Sequence, residues 1–402
     1  MRGAERKGDV YAVKQRIISR VDALSDELVG IAKRIFEYNE LSWQERRSSR
    51  ELAEFLGKNG FDVEWNAGGL ETAFVARSGS GTPRIALLGE YDALPGVGHA
   101  CGHNMIGTIG AGAAVALRSC GIPSPGRGTI LFVGCPAEEH GGGKIHLVEK
   151  GVFRDVDAAM IIHPTTLSTG FDISYAIKVF YVEFFGHSAH AAAGPYKGVN
   201  ALDAMISLFN GIGLMRQQMK ERTRVHGIIL DGGQSFNTIP DYTKAEIGLR
   251  ALTMEEVDAM EVRLRDIAEG AAKMTGCRVS LTLRDAQPEV YVNVPIARTI
   301  DRNYELVGEK VSPRIYGDGV GSTDVGAVTQ VVAGTQGYID ITAGEKIPTH
   351  TPEFAACSDS EYGYGAMLRA VKALALTACD LFADEDLMRE ATRYFRERRR
   401  DF

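Results

Sequence analysis

The chain has 402 residues, more than one hydrophobic core usually organises, so two domains are expected. Its 45% hydrophobic and 24% charged residues are typical of a soluble globular protein. The net charge of −7 argues against nucleic acid or an anionic membrane as a partner. The sequence lacks a long apolar run and a signal-peptide core, and its six cysteines are scattered. We therefore expect reduced thiols and a cytoplasmic location.

The first half of the sequence alternates helix and strand patterns. Apolar residues at helical spacing predict helices over residues 13–38 and 44–60. A Gly/Ala-rich segment at 105–117 would let a third helix lie close against a sheet. The strands predicted in this half are 61–65, 72–76, 84–88, 129–133 and 158–162.

The last three of these strands end on side chains that bind metals or move protons. They are Asp92, Cys101 and His103 after the strand at 84–88, Glu138 and Glu139 after that at 129–133, and His163 after that at 158–162. Proteins of the α/β class place ligands beyond the carboxyl ends of their strands. Thiol, imidazole and carboxylate groups converging from neighbouring strands predict a metallohydrolase centre.

Near residue 176 the pattern changes. Strands and helices follow in the order β-α-β-β-α-β over about a hundred residues, which predicts a ferredoxin-like insert. The α/β pattern returns after residue 294. We therefore expect a discontinuous catalytic domain in residues 1–176 and 289–402, with a lid or dimerisation domain in residues 177–288.

The chemistry of these residues suits a centre with two metals. Paired ions about 3.5–4 Å apart polarise a carbonyl and hold a hydroxide, and a nearby carboxylate moves the proton. Ligands could come from Cys101, His103, one of Glu138 and Glu139, His163 and His350. The other glutamate would be the base, because adjacent carboxylates in a strand or tight turn point in different directions. A solvent-facing acidic pair is the simpler alternative for these two glutamates.

Seven motifs, in order, resemble those of the M20 metallopeptidase/amidohydrolase family. They are GEYDALPGVGHACGHN, PAEE, IIHP, GHSAHAAAGP, NTIPD, GSTDVG and THTPEF. The sequence is most similar to the aminoacylase-like branch with a Cys–Gly–His motif, and within it to the group of p-aminobenzoyl-glutamate hydrolase and M20-domain dipeptidases. The resemblance covers roughly residues 15–380. It implies an α/β fold, with a di-metal aminopeptidase-like catalytic domain and an inserted ferredoxin-like α+β lid or dimerisation domain.

The resemblance also implies roles for single residues of the catalytic domain. Cys101 matches the bridging ligand, at a place where other branches use an aspartate, and Glu138 matches the general base. Asp92 matches an acid that orients a ligand imidazole. The terminal ligands implied are His103, Glu139, His163 and His350. Two divalent ions per subunit, Mn²⁺ or Zn²⁺, are the expected cofactors.

In the lid, His190 matches a residue that reaches the active site of a neighbouring subunit and stabilises the tetrahedral oxyanion. This implies a homodimer or a higher homo-oligomer. Asn237 and Arg250 match positions that contact the substrate, and a guanidinium suits a carboxylate. Ser322 and Thr323 offer hydroxyl groups close to the same pocket.

Two departures from the family pattern stand out. Asn104 follows the Cys–Gly–His motif where the commoner form has aspartate, which indicates the subfamily. Glu90 stands where distant branches have a ligand histidine, so the alternative of a centre with only one tightly held ion stays open.

The helix predicted at 200–220 has an apolar face that either forms a subunit interface or packs on the insert's own sheet.

Three functions are compatible with these residues. The leading one is a metal-dependent amidohydrolase that separates an acyl, aminoacyl or aminobenzoyl group from an amino acid. The second is a hydrolytic deaminase that removes an amino group from an amino-aromatic acid on the same site. The third is a non-catalytic metal-binding protein, which the complete set of ligands plus a free carboxylate disfavours. In the first two, the partner is a small-molecule amide or amino-aromatic substrate.

Overall fold

The computed structural model describes residues 2–313 and 321–398. Within them the strands are β1 Asp62–Trp65, β2 Phe74–Ser80, β3 Arg84–Gly89, β4 Gly128–Gly134, β5 Ala158–Thr165, β6 Ala176–Phe185, β7 Arg224–Asp231, β8 Tyr242–Ala251, β9 Arg278–Gln287 and β10 Ala333–Asp340. The helices are α1 Arg2–Ala23, α2 Ser25–Tyr38, α3 Arg46–Lys58, α4 His103–Ser119, α5 Gly143–Glu149, α6 Ala201–Met215, α7 Met254–Thr275, α8 Val294–Leu306, α9 Val325–Val331, α10 Pro352–Cys357, α11 Glu361–Ala383 and α12 Glu385–Arg396. None of these helices has the length and apolar character needed to span a membrane.

The chain divides into two compact units. The first contains the residues up to Ile173, the chain from Val290, and the residues from Asp324 onward. The second contains Ser174–Glu289 together with residues 321–323. The first unit is therefore discontinuous in sequence.

The first unit is built on a mixed sheet in the order β1-β2-β4-β3-β5-β10. Strands β4, β3, β5 and β10 pair in parallel, whereas β2 is antiparallel to both of its neighbours. The parallel strands are almost wholly buried, as expected for strands covered on both faces. Parallel pairing brings the carboxyl ends of these four strands to one edge of the sheet, as the sequence predicted.

Helix α4 lies close to the sheet because small residues face it. A Cβ atom on Gly107 would lie 3.0 Å from the carbonyl oxygen of Glu90, and one on Gly110 would lie 2.7 Å from that of Leu88. Every residue of the helix from His103 to Leu117 is buried. The predicted close approach of this helix to the sheet is confirmed. Because α4 begins at His103, its packing also holds the end of the loop that follows β3.

The second unit has an antiparallel sheet in the order β7-β8-β6-β9 with two helices, α6 and α7. This topology is the ferredoxin-like arrangement that the sequence predicted. Helix α6 begins after Asn200, whose side chain accepts the Leu202 N–H. Helix α7 begins after Thr253, which accepts the Glu256 N–H, and ends at the left-handed Gly276.

One helix prediction needs correction, and the structure favours one of the two alternatives left open for another helix. The helix predicted over residues 13–38 is interrupted at Leu24, which separates α1 from α2. The apolar face of α6 packs on the core of its own unit, where Met205 and Ile212 are buried, whereas Ile206 and Leu214 on the same helix are 49% and 78% exposed. The buried part of this face therefore gives no support for a subunit interface.

Candidate metal centre

A thiol, imidazoles and carboxylates meet beyond the carboxyl ends of the parallel strands in the first unit. The Cys101 Sγ atom lies 3.5 Å from His163 Nε2 and 3.5 Å from His350 Nε2. Among the described residues, four groups of three possible donors have ligand atoms within 4.8 Å of one another. Two of them contain a thiol, namely Cys101 with His103 and His163, and Cys101 with Glu139 and His350. The Cys101 sulfur is common to both groups.

Local backbone geometry places these donors. Gly102, between Cys101 and His103, has a φ of +77°, and a Cβ atom there would lie 2.7 Å from the Pro164 ring. Glycine is therefore the residue that fits between these two donors. His350 also has a left-handed backbone, with a φ of +64°, and its N–H donates to the Ala100 carbonyl at 2.8 Å. Left-handed residues other than glycine are concentrated at functional sites.

Hydrogen bonds orient two of the imidazoles. The His163 Nδ1–H donates to the Pro164 carbonyl at 2.6 Å, and the His103 Nδ1–H donates to Asp92 Oδ1 at 3.0 Å. These bonds leave the Nε2 atom of both rings for a metal. Burial lowers the pKa of His163 to about 4, so its imidazole is neutral at physiological pH. Burial opposes the charge on Asp92, yet hydrogen bonds from His103 and Ser42 hold its pKa well below the ordinary value.

The adjacent glutamates occupy different surroundings. Glu139 lies between two imidazoles, with Oε1 3.7 Å from His103 Nε2 and Oε2 3.7 Å from His350 Nε2. Glu138 has its Oε2 3.9 Å from His103 Nε2 and groups with two other carboxylates, Glu90 and Asp324. The two side chains are only 10% and 7% exposed, so the alternative of a solvent-facing acidic pair is wrong.

The donor set fits a transition metal. Among the residues that the structure describes, His103 Nε2 and Glu139 Oε1 are buried polar atoms without a hydrogen-bond partner, which is rare unless another group satisfies them. Burial raises the pKa of the Cys101 thiol well above its ordinary value. Without a cation beside it, the Cys101 thiol therefore stays protonated. A bound metal ion would stabilise the deprotonated thiolate, which is the form that binds metals.

A buried ion cluster beside Glu138 was not predicted from the sequence. Lys144 Nζ lies 2.6 Å from Glu90 Oε1 and 2.6 Å from Asp324 Oδ1, and all three side chains are fully buried. Burial opposes the charge on Lys144, but the Asp324 and Glu90 carboxylates hold its pKa well above the ordinary value. Burial raises the pKa of Asp324 to about 6. The available sequence signal was a lysine directly after three glycines that follow the PAEE motif.

In the second unit, the His190 loop pairs with the Asn237 loop. The Ala191 N–H donates to the Asn237 carbonyl at 2.9 Å. His190 Nδ1 accepts the N–H groups of Ala192 and Ala193 at 3.2 and 3.1 Å, which places the ring proton on Nε2. Asn237 Oδ1 accepts the Ser235 hydroxyl at 2.7 Å, so the Asn237 amide NH₂ is directed elsewhere. Both His190 and Asn237 are exposed and offer donors to a ligand.

Arg250 lies in the same unit, half-buried on β8. Its Nη1–H donates to Ser322 Oγ at 2.8 Å and its Nε–H to His226 Nε2 at 3.3 Å. No carboxylate in the described part of the chain pairs with this guanidinium. Thr323, the next residue after Ser322, is buried. A half-buried cation held by neutral partners is suited to an anionic ligand.

The fold and the donor cluster of the first unit define a metal-dependent hydrolase. Residues 86–373 match the model of peptidase family M20/M25/M40, and the chain belongs to this family. It is therefore a hydrolase of carbon–nitrogen bonds.

Curated relatives cover nearly the whole chain. The chain is 34% identical to the Xaa-Arg dipeptidase of Mus musculus, over 98% of this chain and 94% of that protein. It is 30% identical to one of the subunits of the p-aminobenzoyl-glutamate hydrolase of Escherichia coli (strain K12), over 92% of each. Among solved structures, a dinuclear metal-binding peptidase of the M20 family from Bacillus subtilis matches with a TM-score of 0.71 and 20% identity, over 90% of this chain and 99% of that one. This match supports the predicted fold.

Proposed function

We propose that this protein is a dinuclear amidohydrolase that cleaves the amide bond between an acyl, aminoacyl or aminobenzoyl group and an amino acid. The observation that carries this proposal is the Cys101 sulfur, which belongs to two groups of metal donors at once. Relatives named as a dipeptidase and as part of a p-aminobenzoyl-glutamate hydrolase act on amides of amino acids, and they support the same class of substrate.

Cys101, His103 and His163 would hold one divalent ion, either Mn²⁺ or Zn²⁺. Cys101, Glu139 and His350 would hold a second, so Cys101 would serve both sites as the bridging ligand. Asp92 holds the His103 ring through Nδ1, which fixes Nε2 as the ligand atom. When bound, the metals supply Lewis acidity that polarises the amide carbonyl and acidifies a water molecule.

Glu138 is the proposed general base. It accepts a proton from the attacking water at a carboxylate oxygen, then returns that proton to the nitrogen of the leaving amine. Burial, together with the Glu90 and Glu139 carboxylates, raises the pKa of Glu138 well above its ordinary value. A raised pKa suits a group that has to hold the proton between the two steps. The small exposed fraction of this side chain also limits proton loss to bulk water.

The second unit supplies the proposed contacts to the substrate. Arg250 would bind the carboxylate of the amino acid that leaves. Ser322, which accepts a hydrogen bond from Arg250, and Thr323, the next residue in the sequence, would assist it. The amide NH₂ of Asn237 would donate to the substrate. His190 would donate its Nε2–H to the tetrahedral oxyanion in the active site of a neighbouring subunit.

A homodimer would provide that neighbouring subunit, and the β7 edge is where we propose it forms. Strand β7 lies at the edge of its sheet, and Ile228, Ile229 and Leu230 on it are 60%, 44% and 48% exposed. An exposed apolar edge strand is a template for pairing with another chain.

All six cysteines are free thiols, and this supports a reducing, cytoplasmic location.

The substrate class is tested with N-acyl amino acids, dipeptides, aminobenzoyl-glutamate and aminobenzoates, each with and without a chelator. We expect release of an amino acid that stops when metal is removed. Substrates whose carboxylate is replaced by a carboxamide should react poorly. Ammonia release without an amino-acid product would instead establish the deaminase.

The roles of the two glutamates are tested by two substitutions of equal size. Glu138→Gln should keep its metal and lose roughly 10²–10⁴-fold in kcat, because the proton acceptor is gone. Glu139→Gln should lose metal from one of the two sites. If the two phenotypes are exchanged, the assignment of base and ligand is reversed.

A further inference from the structure

A short segment before α3 contacts the loop that carries Glu138 and Glu139. The segment, residues 40–45, is tied to the loop after β3 by the Ala93 N–H, which donates to the Glu40 carbonyl at 2.8 Å. Ser42 Oγ–H donates to Asp92 Oδ2 at 2.8 Å. The segment therefore contacts the surroundings of the metal centre at two points. Ser42 binds Asp92, and Glu45 binds the peptide before Glu138.

Glu45 is completely buried at the start of α3. Its Oε1 atom accepts the Ala137 N–H at 2.8 Å and the Trp43 N–H at 2.9 Å. Its Oε2 atom accepts the Thr72 hydroxyl at 2.9 Å. Ala137 is the residue directly before Glu138, and it has a left-handed φ of +57°. A residue with a Cβ atom is strained in this conformation and stays there only when its surroundings hold it.

The peptide on the other side of Glu138 is held in the same way. The Glu139 N–H donates to Asp92 Oδ2 at 3.1 Å. The N–H groups of Ala137 and Glu139 are thus each bound by a buried carboxylate, and Glu138 lies between these two anchored peptides. The direction in which Glu138 and Glu139 leave the backbone is fixed by these two contacts.

The chemistry of Glu45 also points to a role beyond packing. In the described part of the chain no cationic side chain pairs with this carboxylate, and only hydrogen bonds compensate its burial. Burial and the charge of Asp92 raise the pKa of Glu45 to about 7. A buried, unpaired carboxyl group is costly compared with an apolar residue of similar size. Such a group is expected where its acceptor atoms hold a strained backbone.

We propose that Glu45 is a positioning residue of the active site, which holds the strained Ala137 peptide so that Glu138 faces the reacting water while Glu139 faces the metals. This inference rests on the proposed roles of Glu138 and Glu139. Loss of the Ala137 contact would let the turn relax out of the left-handed conformation, and both carboxylates would then move from their positions.

Three substitutions at this position separate hydrogen bonding from packing. Glu45→Gln keeps an oxygen acceptor for the Ala137 and Trp43 N–H groups. Glu45→Met keeps the length of the side chain and removes the acceptor. Glu45→Asp keeps the charge but is shorter by about 1.5 Å, so it does not reach Ala137. If Glu45→Met does not fold, Glu45→Asp carries the test.

Glu40→Met is the matched control. Glu40 also receives hydrogen bonds at the start of α3, from the N–H groups of Arg47 and Ser48. The hydrogen bonds of its carboxylate go to Arg47 and Ser48, not to residues 137–139. This variant therefore reproduces the loss of a carboxylate that supports the same helix, without the effect on the Ala137 turn.

Two measurements report on the proposed role. The first is titration of each metal-free protein with Co²⁺, followed by absorption of the Co²⁺ centre and its thiolate band. The second is the division of any activity loss between kcat and KM at saturating metal. For Glu45→Met and Glu45→Asp we expect Co²⁺ affinity and kcat each to fall by about 10–100-fold, with KM nearly unchanged. Glu45→Gln and Glu40→Met should stay within about threefold of the parent in both measurements.

Two results would overturn the inference. One is a Glu45→Met or Glu45→Asp protein that folds and matches Glu40→Met in Co²⁺ affinity and kcat. The other is a Glu45→Gln protein as defective as Glu45→Met, since acceptance of the hydrogen bond would then not be what matters. Failure of the proposed function looks different. In that case Glu138→Gln would keep full activity, while the Co²⁺ titration of the Glu45 variants would still report on the turn.

Discussion

Replacing Lys144 by methionine tests how the buried ion cluster beside Glu138 is held together. Lys144→Met keeps a side chain of similar length and removes the ammonium that lies between Glu90 and Asp324. The Lys144 Nζ atom lies 2.6 Å from a carboxylate oxygen of each of these two residues. At an effective dielectric constant of about 20, one such pair attracts by about 6 kcal/mol. Desolvation of the buried ions offsets much of this attraction, so we expect the first unit to lose about 3–5 kcal/mol of unfolding free energy.

The loss should depend on pH. Without the ammonium, the folded-state pKa of Asp324, already about 6 in the parent, rises further above that of the unfolded chain. The pKa of Glu90 lies below its ordinary value in the parent because Lys144 and neighbouring histidines offset its burial, and it also rises when the ammonium is removed. When a carboxyl group has a higher pKa in the folded than in the unfolded protein, the free energy of unfolding falls as the pH rises through the folded-state value. The difference between the variant and the parent should therefore be larger at pH 8 than at pH 5. Adding Glu90→Gln and Asp324→Asn to Lys144→Met should restore most of the stability, because no uncompensated charge is left.

The assay is hydrogen exchange of β3 and β4 amides in metal-free protein, since these strands lie in the centre of the first unit's sheet. Lys372→Met is the matched control. Lys372 pairs with Asp22 at 2.6 Å, but that carboxylate is 59% exposed, so the control should lose at most about 1 kcal/mol. If Lys144→Met costs no more than Lys372→Met, or if its cost is the same at both pH values, the ammonium does not compensate the two carboxylates.

Three further predictions concern the metals, the subunits and the substrate. Cys101→Ser should lower metal content at both sites and His350→Ala at one, measured by elemental analysis; equal losses in the two variants would contradict a bridging thiolate. Mixing His190→Ala with Glu138→Gln under subunit exchange should recover activity, because one site of a mixed dimer then has both groups; no recovery after confirmed exchange would mean that His190 acts within its own chain or not at all. Arg250→Met should raise KM roughly 10–100-fold for a carboxylate substrate and leave that for its carboxamide analogue unchanged; a uniform rise would remove Arg250 from carboxylate recognition.

The donors that meet at the metal centre were within reach of sequence analysis. Each of Cys101, Glu139 and His163 follows or ends a strand that reads as buried, and parallel strands have their carboxyl ends at one edge. His350 has no such local signal, because it lies in a loop after β10. The residue chemistry made His350 one possible ligand, and the resemblance to a family assigned it as a terminal ligand.

The residues that the sequence did not reveal are those whose role depends on a distant partner. Lys144 and Asp324 are far apart in the chain, and a lysine or aspartate usually lies at the surface. Glu45 reads as an ordinary acidic residue near the start of a helix, and nothing local shows that Ala137 is left-handed. The face of α6 was ambiguous for a related reason, since an apolar helix face has the same pattern whether it packs on its own sheet or on another subunit.

The discontinuity of the first unit has a consequence for biosynthesis. Strand β5 pairs in parallel with β10, yet the whole second unit separates them in sequence. At 5–20 residues per second, the ribosome needs on the order of ten to thirty seconds to make the intervening chain. During this interval the apolar edge of β5 is open to other nascent chains, and His350 does not yet exist. Cys101, His103 and His163 are already synthesised, so one group of donors is complete while the other waits for the last part of the protein. A metal captured early by the first group would bring α4 and β5 together before translation ends.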